Sequence, residues 1–555
     1  MNYDQILEKC GNFNRYQFVL LGVFAFINFM LAMHYFSQTI ISFVPEHWCH
    51  HEKLENLSFH QIKEIYSGFE NPSCTKLSDI VDGRGIPAKD EICDRWIYNY
   101  EFGYRSMTTE LNWVCHSSFK STIGQSFFFV GSVVGTSAFG VLADKLGRLP
   151  VIILSNLTGA FGDFVTSFSN TVVTFSFCRF LSGLAADSNY YMTYILVLEY
   201  LRPSMRTTGL NFVTGIFYPA GLVACPWLAV WVGHWQIYLW CASIPLVIVI
   251  FSYFILIESP QWNVTRKDYN GAVQNLKRMA KFNGRVVPEE TFKAFEDYYS
   301  EKNEETDTKV NFFTMFKTPR LRKLTSILLF KSVVITLCYD VVSRNVENMG
   351  ISAFIMFTIS SMAVLPSCMS VVLLQDRLGR KAMASMSLFI GGVFTAATGI
   401  IVAYQQQYQN VALLACMLFI ARYGVCISYE SSAQYAAELI PTCVRGQAVG
   451  AVHLFGYGVT FLSAYIIYLG KFFKPLPSII LCILLFSGSF LCLLLPETMN
   501  KQLPNTLEDG EKFGLGEKMF DFPWTKKQKE KMSDVNETDR RPSVLSMSMN
   551  SLKSM

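Results

Sequence analysis

Charged side chains are scarce in this sequence of 555 residues: Asp, Glu, Lys and Arg make up 16% of it, whereas hydrophobic residues make up 51%. A soluble protein carries charge on about a quarter of its residues. The shortage of charge, together with many long apolar runs, places the chain among multi-span membrane proteins. The net charge of +4 is too small to indicate a nucleic-acid partner, and we expect none.

Several functional signatures are also absent. The sequence has no G-x-x-x-x-G-K-[ST] phosphate-binding loop, which excludes a nucleotide-driven pump of that type. Its histidines are scattered without metal-ligand spacing, and no nucleophile–base arrangement appears. We therefore predict neither an enzyme nor a cofactor or metal site. The first fifteen residues are polar, so we expect no cleaved signal peptide.

Twelve apolar runs are each long enough to cross about 30 Å of hydrocarbon as a helix. They are expected near residues 18–43, 121–143, 149–170, 172–200, 207–231, 236–258, 323–345, 351–375, 382–404, 410–434, 447–469 and 476–496. The sequence thus predicts a first half at 1–262 with a large loop at 44–120, a linker at 263–322, a second half at 323–500 and a largely disordered tail at 501–555.

One charged turn occurs twice. Residues 140–150 and 375–381 share the pattern D-x-L-G-R, and each lies between two apolar runs. Two copies in matching places indicate that one half of the chain repeats the other. Six spans, a polar linker and six more spans are the layout of the major facilitator fold, in which two similar halves surround a central cavity.

The basic residues and the cysteines both predict how the chain is oriented in the membrane. Arg and Lys concentrate in alternate short loops and in the linker, which places both termini and the linker in the cytoplasm. The large loop then lies outside the cell. Four of the fifteen cysteines lie in that loop: Cys49, Cys74, Cys93 and Cys115. They are expected to form two disulfides, and three pairings are possible. Asn56 opens a glycosylation pattern in the same loop.

A series of motifs in a fixed order extends over nearly the whole chain. They are PEHWC at 45–49, CDRWIY at 93–98, TELNWVC at 109–115, both charged turns, RFLSG at 179–183, ESPQW at 258–262, ELIPT at 438–442 and LPET at 495–498. In this order they resemble the organic cation, organic anion and carnitine transporter family of the major facilitator superfamily. The resemblance implies an all-α plasma-membrane protein with the major facilitator fold. Such a protein has twelve transmembrane helices in two six-helix halves and a large extracellular loop after the first helix. It moves small organic ions by alternating access.

Charged residues at the cytoplasmic helix ends are candidates for gating. They can bridge the halves in one state and separate in another, or they can merely anchor the loops inside. The candidates are Asp144, Arg148, Glu199, Arg206, Glu258, Asp376, Arg380, Glu438 and Arg445.

Aromatic residues are candidates for the substrate site. Tyr190 and Tyr194 are four apart on the fourth span and share a helical face, and the resemblance implies that this face lines the site. Phe217, Tyr218 and Tyr339 could complete an aromatic box that attracts a cation, or they could simply fill the bundle. The resemblance further implies that Tyr457 occupies the position where the family distinguishes cation carriers from anion carriers.

Charges within spans tend to face functional cavities. Lys331, Asp340, Arg422 and Glu430 are the candidates. In one interpretation Asp340 and Glu430 hold a cationic group and Arg422 a carboxylate; in the other these side chains pair with each other. Arg344 is expected at the external end of the seventh span and is given no role.

The prediction is a carrier of organic cations or zwitterionic amines, working by facilitated diffusion or exchange. An organic anion carrier that uses Arg422 is the second hypothesis, and a non-transporting receptor or sensor is the third. The expected partners are a small organic ion and the lipid bilayer, with a possible kinase acting at residues 540–543 (RRPS).

Overall fold

The computed structural model describes residues 3–11, 14–69, 71–88, 91–201, 203–302, 312–345, 352–404, 410–499, 501 and 503–524, without the side chains of 203–208, 211, 301 and 302. Eleven helical segments in this part of the chain are long and apolar enough to cross a membrane. A further segment, the fourth, is broken into two short helices. The described chain therefore has the predicted twelve spans.

Spans 1–6 form the N-half. Their helices are Arg15–Ile41 (span 1), Phe119–Leu146 (span 2), Arg148–Thr166 (span 3), Val172–Gly183 with Ser188–Tyr200 (span 4), Pro203–Val232 (span 5), and Trp235–Ser243 with Ile244–Phe251 and Ser252–Ile255 (span 6). At the break, span 4 lies very close to span 2: a Cβ on Gly135 would lie 1.9 Å from the carbonyl oxygen of Leu184. Small residues permit such backbone contacts between membrane helices.

Spans 7–12 form the C-half. Their helices are Pro319–Arg344 (span 7), Ala353–Met362 with Val364–Leu378 (span 8), Arg380–Tyr404 (span 9), Val411–Leu439 (span 10), Arg445–Gly458 with Leu462–Leu469 (span 11), and Leu476–Leu493 (span 12). The halves face each other across spans 1, 2, 4 and 5 on one side and spans 7, 8, 10 and 11 on the other.

The loop after span 1 folds into a small disulfide-linked unit, and its side of the membrane is called the loop side below. Strand β1 (His47–Cys49) pairs antiparallel with β4 (Trp96–Tyr98), and β2 (Leu77–Val81) pairs with β3 (Arg84–Pro87). The disulfides join Cys49 to Cys93 and Cys74 to Cys115, one of the three pairings that the sequence left open. Asn56 is exposed on this unit.

The opposite, linker side carries short helices under both halves. Tyr3–Cys10, Tyr269–Phe282 and Glu289–Lys302 pack together beneath the N-half. The start of the tail contacts the C-half, where the Glu511 carboxylate accepts the backbone N–H groups of Arg320 and Leu321 at 3.0 Å. Residues 503–524 are thus an ordered start of the tail, and the prediction of a largely disordered tail over 501–555 stays a prediction. The kinase pattern at 540–543 lies outside the described residues.

Candidate transport site

A cavity of about 80 Å³ lies between the two halves. Spans 1, 4 and 5 line it from the N-half, and spans 7, 10 and 11 line it from the C-half. Six tyrosines contribute to its wall: Tyr35, Tyr190, Tyr218, Tyr339, Tyr429 and Tyr457. A tyrosine-rich wall presents both ring faces and hydroxyls, so the cavity can contact apolar and polar parts of one small molecule.

The tyrosines on the C-half side are held by one another. Tyr339 and Tyr429 stack with ring centroids 4.5 Å apart, and the hydroxyls of Tyr429 and Tyr457 are hydrogen-bonded at 2.5 Å. Tyr457 thus lines the cavity as an uncharged residue. Tyr194 lies beside the cavity-lining Tyr190, with ring centroids 5.6 Å apart, and is not itself among the lining residues.

Two carboxylates line the cavity, Asp187 from the N-half and Glu430 from the C-half. Glu430 is a predicted site residue, whereas sequence analysis missed Asp187. Asp187 lies at the break of span 4 and accepts a hydrogen bond from Ser132. The available signal was an acidic residue inside an otherwise apolar run, which in a membrane span usually marks a functional cavity. None of the residues described as lining this cavity is Lys or Arg.

Besides Tyr194, three predicted substrate contacts do not line the cavity. Phe217 is 40% exposed, and the next residue, Tyr218, faces the cavity in its place, because one residue along a helix turns the side chain by about 100°. Arg422 is buried beside the cavity wall: its Nη1 donates to the carbonyl oxygen of Tyr339 at 2.6 Å, and its Cζ lies 3.8 Å from that ring's centroid. Arg422 therefore supports a cavity tyrosine.

Asp340 is the third predicted contact that does not line the cavity. Its Oδ1 accepts a hydrogen bond from Arg344 Nε at 2.8 Å, and both side chains are buried. The same guanidinium reaches across to span 1, donating to Thr39 Oγ1 at 2.7 Å and to the carbonyl oxygen of Tyr35 at 3.0 Å. Arg344, which the sequence analysis gave no role, thus connects the two halves.

Aromatic contacts close the loop side of the cavity around Arg344. Phe43 of the N-half meets Phe354 at 4.9 Å between ring centroids, and Phe36 meets Phe357 at 5.4 Å. The Arg344 guanidinium lies 4.7 Å from the Phe36 ring. These residues define the loop-side seam, through which the halves are in contact in this conformation.

The linker side of the N-half carries a compact charge network. Arg148 pairs with Asp144 at 2.7 Å and lies 3.8 Å from Glu199. The Glu258 carboxylate accepts the backbone N–H groups of Arg148 and Leu149 at 2.9 and 3.0 Å, so it caps the first turn of span 3.

The C-half repeats this network residue for residue. Arg380 pairs with Asp376 at 2.9 Å and with Glu438 at 3.2 Å. Glu497 accepts the backbone N–H groups of Arg380 and Lys381 at 2.9 and 3.1 Å. Sequence analysis missed Glu497, although it follows the last span of its half just as Glu258 does.

The gating candidates are paired within their own halves in this conformation. Six of the candidates form ion pairs, and each ion pair that the structure describes joins residues of the same half. The members are Asp144, Arg148 and Glu199 in the N-half, and Asp376, Arg380 and Glu438 in the C-half. Arg445 Nε donates to the carbonyl oxygen of Ile440 at 3.2 Å. The Arg206 side chain lies outside the described side chains. A gate that bridges the halves therefore remains a prediction for another conformation.

Two further groups of buried charge lie away from the cavity. His34, Asp163 and Arg179 join spans 1, 3 and 4, with Asp163 2.7 Å from His34 Nδ1 and 2.9 Å from Arg179 Nη1. Sequence analysis missed this network because its members are far apart in the chain. Lys331 lies with its Nζ 4.8 Å from the centroid of the Tyr435 ring, inside the C-half.

The family model described as sugar (and other) transporter matches residues 76–508. The chain belongs to this transporter family. It is 28% identical to organic cation transporter 1 of Caenorhabditis elegans, over 92% of this chain and 89% of the relative. It is 27% identical to the human organic cation/carnitine transporter 2, over 91% and 93%. These relatives confirm the resemblance found in the sequence.

Solved structures confirm the fold. The inward open conformation of the xylose transporter XylE from E. coli superimposes with a TM-score of 0.56 at 13% identity, covering 89% of this chain and all of that one. The D-xylose-proton symporter gives a TM-score of 0.55 at 12% identity, covering 86% of this chain and 99% of that one. The protein is thus a transporter of the major facilitator superfamily, not an enzyme, and it moves small organic substrates across a membrane.

Proposed function

We propose that the transporter carries small organic cations, or zwitterionic amines, across the plasma membrane by alternating access. The observation that supports this most is the lining of the central cavity, which combines six tyrosines with Asp187 and Glu430 and includes no Lys or Arg among its described residues. Each aromatic face attracts a cation with about 0.5–2 kcal/mol. Buried carboxylates gain a counter-ion when such a cation binds.

Arg422 bears on the competing hypothesis of an organic anion substrate. Its guanidinium is occupied by the Tyr339 carbonyl and by the Tyr339 ring face, and it is not among the residues that line the cavity. An anion entering the cavity would meet two carboxylates before any guanidinium. The names of the relatives, organic cation transporter 1 and organic cation/carnitine transporter 2, agree with the cation proposal.

The proposed membrane orientation places both termini and the linker in the cytoplasm and the disulfide-linked loop outside, with Asn56 glycosylated. The distribution of Arg and Lys among the short loops supports it. The two disulfides agree with an oxidising exterior. The six paired charges on the linker side are proposed as the cytoplasmic gate, which would bridge the halves when the loop side opens.

The test is uptake into proteoliposomes that contain the purified full chain. Radiolabelled tetraethylammonium is a suitable probe because its charge does not change with pH, and radiolabelled p-aminohippurate serves as the anionic comparison. We expect saturable tetraethylammonium uptake above that of protein-free vesicles, and no uptake of p-aminohippurate. Uptake of p-aminohippurate alone, lost in Arg422→Ala, would overturn the cation proposal in favour of the anion hypothesis. Saturable binding of tetraethylammonium without any uptake would favour a receptor.

A further inference from the structure

Three residues that line the central cavity carry a buried oxygen with no hydrogen-bond partner in the described structure. The atoms are Oδ1 of Asn28, Oγ1 of Thr214 and Oγ1 of Thr460. Asn28 lies on span 1, Thr214 on span 5 and Thr460 at the break of span 11, so both halves contribute. A buried polar atom that makes no hydrogen bond is destabilising. Because these residues line the cavity, a bound substrate can supply the missing partners.

The amide of Asn28 has an orientation that its nitrogen fixes. Nδ2 donates to the backbone carbonyl oxygen of Phe24 at 2.8 Å, and a carbonyl oxygen can only accept, so the nitrogen must face it. The atom without a partner is therefore the amide oxygen, which accepts hydrogen bonds and cannot donate them. Asn28 is fully buried. A ligand that satisfies Oδ1 must bring a hydrogen-bond donor.

The rest of the polar lining also consists of groups that accept. Asp187 and Glu430 contribute carboxyl groups, one from each half. The hydroxyls of Thr214 and Thr460 can accept as well as donate. Lys, Arg and Trp, the side chains that donate without accepting, do not occur in the part of the lining that the structure describes. The wall is therefore complementary to a cation that carries several N–H donors.

We propose that the cavity selects protonated primary and secondary amines over quaternary ammonium ions, and that Asn28 is a residue that determines this specificity. The N–H groups of such an amine donate to Asn28 Oδ1 and to the other acceptors of the wall, while its apolar part contacts the tyrosine rings. Because the selectivity concerns the same cavity, it rests on the proposed cation transport and narrows the substrate class.

A quaternary ammonium ion lacks any N–H group. It keeps the attraction of the carboxylates and of the ring faces, so it is carried, but with lower affinity because Asn28 Oδ1 stays unpaired. A site that hydrogen-bonds an N–H group discriminates against the analogue that lacks it. Charge and ring contacts alone predict the opposite order, since each added methyl group increases the apolar area of the ligand.

N-methylation of phenethylamine tests this directly. Along the series phenethylamine, N-methyl, N,N-dimethyl and N,N,N-trimethyl, each step replaces one N–H with a methyl group, and the ligand stays a monovalent cation at neutral pH. Isothermal titration calorimetry with the purified full chain in nanodiscs, corrected with empty nanodiscs, measures Kd. We expect the affinity to fall about tenfold or more from the primary amine to the quaternary ion. Equal affinities, or affinities that rise with methylation, would overturn the proposal.

Asn28→Leu removes the acceptor and keeps a side chain of similar size. We expect it to weaken phenethylamine binding about fivefold or more and to change the Kd of the trimethyl derivative less than about twofold. Asn156→Leu on span 3 is the matched control. Asn156 is equally buried, its Nδ2 donates to the carbonyl oxygen of Ile152 at 2.7 Å, and its Oδ1 has no described partner, but it does not line the cavity. The control should keep the wild-type ratio of affinities.

Thr460→Val provides a second reading from the C-half, which decides the question if Asn28→Leu does not fold. It removes one hydroxyl while keeping the side-chain shape, and phenethylamine binding is expected to weaken about threefold or more. A wild-type ratio of primary to quaternary affinity in Asn28→Leu, or in Thr460→Val where that is the variant that folds, would overturn the assignment of these acceptors.

Uptake of labelled tetraethylammonium distinguishes failure of the selectivity from failure of the proposed function. Saturable tetraethylammonium uptake without the predicted order of the phenethylamine series would overturn the selectivity and leave cation transport in place. Absence of both tetraethylammonium uptake and binding of any member of the series would overturn cation transport and the selectivity together.

Discussion

Arg344 Nη1 lies 2.7 Å from Thr39 Oγ1, a contact between span 7 of the C-half and span 1 of the N-half. The same guanidinium neutralises Asp340 and contacts the ring faces of Tyr35, Phe36 and Phe129. One buried cation therefore combines an ion pair within its half with polar and aromatic contacts across the seam. Whatever opens the loop side must break these contacts together.

Arg344→Ala is expected to loosen the loop-side seam. The substitution leaves Asp340 as an uncompensated buried carboxylate, a change that costs about 3–5 kcal/mol in other buried pairs. Hydrogen–deuterium exchange over Ala353–Met362 should rise, and maximal uptake should fall. The double variant Arg344→Ala/Asp340→Ala removes both charges and should recover part of the protection. Unchanged exchange in the single variant would show that Arg344 does not hold the seam.

Asp187→Asn and Glu430→Gln are each expected to raise the KM for tetraethylammonium at least tenfold. Each change removes one carboxylate from the cavity wall while keeping the side-chain shape, and a tenfold change corresponds to about 1.4 kcal/mol. Initial uptake rates at varied concentration provide the measurement. Asp79→Asn, on the exposed face of the loop, is the control and should leave KM unchanged. A wild-type KM in both cavity variants would remove the acids from the substrate site.

The two charged turns provide a test of the internal repeat. Glu258 and Glu497 cap equivalent helices, and a Cβ on Gly147 or on Gly379 would lie 2.4 Å from the respective carboxylate oxygen. Glu258→Gln and Glu497→Gln should therefore lower stability by similar amounts, about 1 kcal/mol each. Thermal unfolding in detergent measures this, with the exposed Glu289→Gln as the control. A large effect in one half and none in the other would contradict the equivalence.

Gly147 and Gly379 permit a second comparison at the same turns. Their φ angles are 106° and 90°, in the left-handed region that L side chains rarely adopt. Gly147→Ala and Gly379→Ala combine this strain with the close carboxylate contact, so both should be more destabilising than Gly140→Ala, where a Cβ meets nothing within 4 Å. Thermal unfolding in detergent measures the difference. Equal unfolding midpoints for all three variants would contradict this account of the two glycines.

The sequence predicted the spans, the repeat and the charged residues of the two turns, because hydropathy and local motifs carry that information, but it did not predict which charges pair. The break in span 4 was not predicted, and neither was the close contact between Gly135 of span 2 and Leu184 at that break, because hydropathy does not report contacts between spans. Helix rotation explains why only Tyr218 of the two candidates Phe217 and Tyr218 lines the cavity, because an aromatic pair in sequence does not reveal which ring faces inward. The roles of Arg344 and Asp340 depend on residues about 300 positions away on span 1, which periodicity cannot reveal.

The most direct test of a central cation cavity that is exposed alternately to each side is counterflow. Proteoliposomes are loaded with unlabelled tetraethylammonium and diluted into a trace of the labelled cation. Alternating access predicts a transient accumulation of label above equilibrium, which is reduced in Asp187→Asn and Glu430→Gln. Uptake that rises linearly with concentration, shows no overshoot and is unaffected by these variants would contradict it.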